Sequence, residues 1–133
     1  MNKLHGKISY IESHEDLSIV KINVSGTIFT TIVIETSKSA DYLKEGTEVD
    51  VLFKETEVVI SIENNVPISM QNRVDCVIEK INKGKLISQL SLSSEIGNMK
   101  SIITTNAIKQ LKLKEKDKVT AMIKTNEIML QHD

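Results

Sequence analysis

Residues that cross-link, stack or kink a chain are scarce here: 133 residues hold one cysteine, one proline, five glycines, two tyrosines, two phenylalanines and no tryptophan. A lone cysteine, Cys76, cannot close an internal disulfide, and its place beside Val77 and Ile78 reads as core. Tyr10, Phe29, Tyr42 and Phe53 come with no basic stripe and a formal charge of −1, which argues against a groove that stacks bases and tracks phosphates, so no nucleic-acid partner is expected. The opening Met-Asn-Lys-Leu-His has no long apolar run of the signal-peptide or membrane-span kind. A cytoplasmic chain without membrane insertion is the expectation. His5, His14 and His132 are scattered, zinc-ligand spacing and a phosphate-binding glycine loop are missing, and no catalytic constellation is visible. Enzyme chemistry is therefore not expected.

What the chain does have is an internal duplication. Residues 2–63 and 72–133 align without a gap, pairing Asn2 with Asn72, Ile8 with Ile78, Ser18 with Ser88, Ile32 with Ile102, Val49 with Val119, Lys54 with Lys124 and Glu57 with Glu127. Each copy alone is small enough to be marginal, because short domains bury too little of their surface. The two copies are expected to pack together or to oligomerise. The repeat divides the chain into a first module at 1–62, a linker at 63–68 carrying the sole proline, Pro67, and a second module at 69–133.

Periodicity makes both modules mostly strand. Ser18–Val24 alternates polar and apolar residues, and Thr27–Ile34 follows across a Ser25-Gly26 turn, which reads as a hairpin. Leu86–Leu92 and Met99–Ile103 repeat it around a looser turn at Gly97-Asn98. Thr36 or Ser37 can cap a short helix through Ala40–Leu43, and Thr105 or Asn106 one through Ala107–Leu111. Strands Glu48–Lys54 and Lys118–Lys124 come next, each leading to a last apolar stretch. The order β-β-β-α-β-β predicts a mainly β fold of tandem OB-like small barrels, each with one short helix.

The chain resembles the molbindin, or Mop, family of TOBE-type domains. Ser69-Met70-Gln71-Asn72 stands where the family has Ser-Ala-Arg-Asn, Lys83-Gly84-Lys85-Leu86 where its glycine-containing turn enters a strand, and Lys124-Thr125-Asn126-Glu127-Ile128-Met129-Leu130 where it ends Lys-Ala/Ser-x-x-Val-Met-Leu. The resemblance covers nearly the whole chain. It implies binding of molybdate, with tungstate as a close mimic, and assembly as a homotrimer with sites at module interfaces.

A tetrahedral dianion brings acceptor oxygens and no donors, so its pocket needs hydroxyls, amides, free backbone N–H groups and a cation. A helix start supplies several such N–H groups together. The resemblance places the pocket there. In the second copy the corresponding positions are Thr104 and Ala107, Lys124 with the Thr125 backbone, and Ser69 and Gln71. In the first copy they are Ile34 and Ser37, and Lys54 with Glu55. Each residue also has a plainer role: strand-end lysines protect sheet edges, and Thr104, Thr105 and Ser37 are natural helix caps.

Departures from the family pattern weaken the site unevenly. Gln71 replaces the arginine, an exchange of a charged for a neutral donor that costs around tenfold in affinity. The first copy has no room for the Ser-x-Arg segment and places Glu35 and Glu55 beside the expected positions, where carboxylates repel a dianion. The second copy is expected to carry more of the binding. The leading expectation is an oxyanion-binding protein that stores, buffers or delivers molybdate; the alternative is the ligand-sensing module of a molybdate-responsive regulator or transporter.

Overall fold

The computed structural model describes residues 1–133. β1 (Asn2–His14), β2 (Leu17–Val24) and β3 (Thr27–Val33) form an antiparallel meander, followed by β4 (Glu48–Phe53) and β5 (Val59–Ser61). The second copy repeats this as β6 (Asn72–Lys83), β7 (Ile87–Ser93), β8 (Met99–Thr104), β9 (Lys118–Ile123) and β10 (Met129–Gln131). The repeat reaches fine detail. Register in the β1–β2 ladder shifts between Ile8 and Tyr10, and in the β6–β7 ladder between Ile78 and Lys80, so each long strand carries an irregularity at the same place. The N-terminal part of each long strand pairs with β4 or β9, and from Lys7 or Val77 onward the strand pairs with β2 or β7 across the irregularity.

Burial follows the alternation of the sequence. β2 hides Ser18, Val20, Ile22 and Val24 and exposes the residues between them. Ser25 and Gly26 both take positive φ, 50° and 96°, the geometry of a two-residue hairpin whose twist matches its strands. In β1 a Cβ at Gly6 would lie 2.6 Å from the Asn23 carbonyl oxygen, so glycine lets β2 close over β1. Cys76 occupies the matching place in β6, buried as expected, and burial pushes its thiol up to about 11.

Two expectations about local structure change. The second copy has its helix, α1 (Thr105–Leu111), but the cap is Thr104, not Thr105 or Asn106. The first copy has no α-helix there: residues 35–46 form successive turns. Thr36 O accepts from the backbone N–H groups of Ser39 and Ala40 at 3.0 and 2.9 Å, and Ser39 Oγ accepts from the Thr36 N–H at 2.9 Å. Serine side chains thus take up the local backbone groups, while Ala107, Ile108, Lys109, Gln110 and Leu111 offer no such competition.

The sheets do not follow the repeat. Their strand orders are β10-β4-β1-β2-β3 and β5-β9-β6-β7-β8, so each copy sends its last strand into the sheet of the other. Met129, Leu130 and Gln131 pair with Leu52, Val51 and Asp50, while Val59, Ile60 and Ser61 pair with Met122, Ala121 and Thr120. Buried hydroxyls fix the crossings: Ser101 Oγ donates to Val58 O at 2.9 Å, and Thr31 Oγ1 donates to Ile128 O at 3.0 Å. Phe29 and Phe53 stack at 6.2 Å, and side chains of both copies share one core cluster. The curled, OB-like sheets are thus tied by reciprocal exchange.

Candidate anion-binding site

Ladder register brings part of the expected set together. Asn72 pairs with Ile123 at the end of the β6–β9 ladder, so Gln71 and Lys124 flank its last pair. Lys124 is exposed and opens a 3-10 turn at Thr125–Glu127; its side chain makes none of the ion pairs of the chain. Thr125 contributes a backbone carbonyl that accepts from Thr31 Oγ1 at 3.1 Å, which seats the turn on β3 of the first copy. Ser69 is exposed on the segment entering β6. That segment is held by Arg73, whose Nε donates to Met70 O and whose Nη2 donates to Ile68 O, both at 2.8 Å.

Thr104 belongs to a different place. β8 runs antiparallel to β7, β7 to β6 and β6 to β9, so the C-terminal end of β8 lies at the opposite end of the sheet from the C-terminal end of β9. The cap at Thr104 and the strand-end Lys124 are therefore separated within one chain. Thr104 Oγ1 accepts from Ala107 N at 3.1 Å. Behind it, buried Thr105 Oγ1 shares a 2.7 Å hydrogen bond with Ser88 Oγ and donates to Gly84 O at 2.9 Å, pinning the Lys83-Gly84 turn to the helix start. A cavity of about 420 Å³ opens alongside, lined by Asn82, Lys83, Gly84, Gln89 and Ile102 among others. Its first-copy equivalents by the repeat include Glu12 and His14, so only the second copy is without a carboxylate there.

In the first copy Ser37 stands in a turn, without the bundle of free N–H groups that a helix start offers. Glu35 accepts from the Tyr42 hydroxyl at 2.8 Å; burial first and this carboxylate second push Tyr42 up to about 12. Lys54 is exposed and free of ion pairs. The neighbouring Glu55 lies 2.6 Å from the amino group of Met1, and that contact foremost holds its carboxyl below the usual range. A cavity of about 600 Å³ between the copies is lined by Asn2, Lys3, Glu55, Glu79, Asn98 and Lys100 among others. Its charge is mixed.

Sequence reasoning missed the role of Arg73 and the partners of the two asparagines. Asn72 Oδ1 accepts from Thr30 N at 2.7 Å and its Nδ2 donates to Thr30 O at 2.9 Å; Asn2 makes the same pair of bonds to Lys100, both at 2.8 Å. β3 and β8 are the outermost strands of their sheets, and these side chains satisfy part of their free edges. Faithful repetition of Asn2 and Asn72 was the one available signal.

Residues 68–130 match the family model described as the TOBE domain. Among solved structures the chain is similar to the cytoplasmic molybdate-binding protein ModG with molybdate bound: 23% identity over 99% of this chain and 96% of that one, with a TM-score of 0.91. That likeness gives the fold of the entire chain. A molybdate-binding protein from Sporomusa ovata is similar over 44% of this chain and 88% of its own length, at 27% identity and a TM-score of 0.43. No curated protein matches the chain by sequence.

Proposed function

We propose that the chain is a non-enzymatic binding protein for molybdate, accepting tungstate as a near-identical tetrahedral dianion, and that it stores, buffers or delivers the anion in the cytoplasm. Its tandem OB-like modules act as a scaffold. The observation that carries the reading is the division of the donor set: Ser69, Gln71, Lys124 and Thr125 gather at one end of a sheet, and the helix start at Thr104 stands at the other. One chain cannot close these around a single ion. A pocket of adequate donors forms when the Lys124 end of one chain meets the Thr104 end of another, which a homotrimer repeats around a ring.

Two further facts support this reading. The fold is that of a protein whose structure holds molybdate. The outer face of β2 and β3 exposes Leu17, Ile19, Ile28 and Ile32, with Ile34 just beyond, and Ile19 and Ile32 are direct cross-strand partners. Such an apolar face beside an edge strand suits contact with another copy. Calorimetric titration with molybdate should give a saturable heat that Lys124→Ala weakens at least tenfold, the loss of one charge-assisted hydrogen bond or more. Native mass spectrometry should find the anion on trimers. No heat, or an unchanged Lys124→Ala titration, would remove the proposal.

A further inference from the structure

The geometry points to Arg73 as the cation of the Gln71 half-site, supplying from two residues along the charge that position 71 lacks. This inference rests on the oxyanion reading above and adds to it a binding residue. Arg73 is the one arginine of the chain. Residues two apart on a strand face the same side, about 7 Å apart. Asn72 is buried and turned to Thr30, so exposed Gln71 and half-buried Arg73 share the other side. The guanidinium does not run out into solvent. It folds back over the entering segment, where bonds to Ile68 O and Met70 O bracket Ser69.

Those two bonds use Nε–H and one N–H of Nη2, leaving three of the five donors of a guanidinium. No carboxylate pairs with it. A cation fixed on one edge by backbone carbonyls and free on the others is ready to take two oxygens of a tetrahedral oxyanion. Ser69, Gln71 and Arg73 then line one side of the half-site that Lys124 completes. The same bonds order the 68–70 segment, so Arg73 positions Ser69 as well as offering charge.

The test moves the arginine. In calorimetric titrations of the full-length protein with sodium molybdate at fixed ionic strength, Arg73→Gln should weaken binding about tenfold, and Gln71→Arg added to Arg73→Gln should restore most of the loss. A residue that only braced the segment would not be rescued from position 71. A second measurement needs no variant. With one arginine in the chain, its Nε–H gives one NMR cross-peak in that class, and the peak should shift along the same saturation curve as the calorimetric heat. Wild-type affinity in folded Arg73→Gln, a loss that Gln71→Arg leaves unrepaired, or an unmoved cross-peak would overturn this inference alone. No molybdate uptake by the unaltered protein would overturn the proposed function, and this inference with it.

Discussion

At the scale of single residues, amides and hydroxyls join the two copies alongside the apolar core they share. Asn72 is buried at 1% exposure and gives both of its polar atoms to the backbone of Thr30. Asn72→Ala would leave the part-buried N–H and C=O of Thr30 without their side-chain partners, which should lower the free energy of unfolding by about 1–2 kcal/mol. Urea denaturation reads this as a lower midpoint at an unchanged slope. Asn72→Asp should be little better, since a carboxylate can accept from Thr30 N but repels Thr30 O. A midpoint equal to that of the wild type in both variants would show that solvent replaces the amide. Nothing in the identity of an asparagine announces such a partner 42 residues away, whereas the side of the strand on which each residue falls was readable from alternation alone.

At the scale of elements, the strands and the Ser25-Gly26 hairpin were legible because their signals are local. The missing helix of the first copy was not, since Thr36, Ser37 and Ser39 carry the same side chains that start a helix and that tie off a single turn. Strand exchange was illegible for a different reason. Val59-Ile60-Ser61 and Met129-Leu130-Gln131 share one apolar pattern, as do β4 and β9, so either final strand fits either sheet by pattern. The outcome is set by where the 3-10 turns before them lie: Glu55–Glu57 against β8, and Thr125–Glu127 against β3. A consequence follows for the isolated second copy. Residues 69–133 alone would lack the segment that gives Ser101 its Val58 carbonyl and β9 its edge partner. Expressed by itself it should form dimers or larger species by exchanging its own last strand, measurable by light scattering on a sizing column; a folded monomer would contradict this.

At the scale of the whole molecule, duplication has left equivalent faces with different surfaces. Leu17, Ile19, Ile28, Ile32 and Ile34 of the first copy correspond to Ile87, Gln89, Asn98, Ile102 and Thr104 of the second, an apolar face against a more polar one bearing the helix cap. On the proposed function, the first copy's face would serve assembly and the second copy's the anion. Ile32→Asp should lower the assembled mass and reduce molybdate uptake together, with the circular dichroism of the fold unchanged; full uptake by a dissociated chain would mean that one chain closes the pocket alone. By itself the sequence determined the duplication, the mainly β class, the inward and outward faces of the strands and the residue types fit for a dianion, because each depends on spacing along the chain. Only the tertiary structure decided that the copies trade their last strands, that Lys124 and Thr104 stand at opposite ends of a sheet, and that Arg73 folds back over Ser69. Those outcomes depend on which distant backbone groups a side chain or a strand edge can reach, and register and packing set that reach.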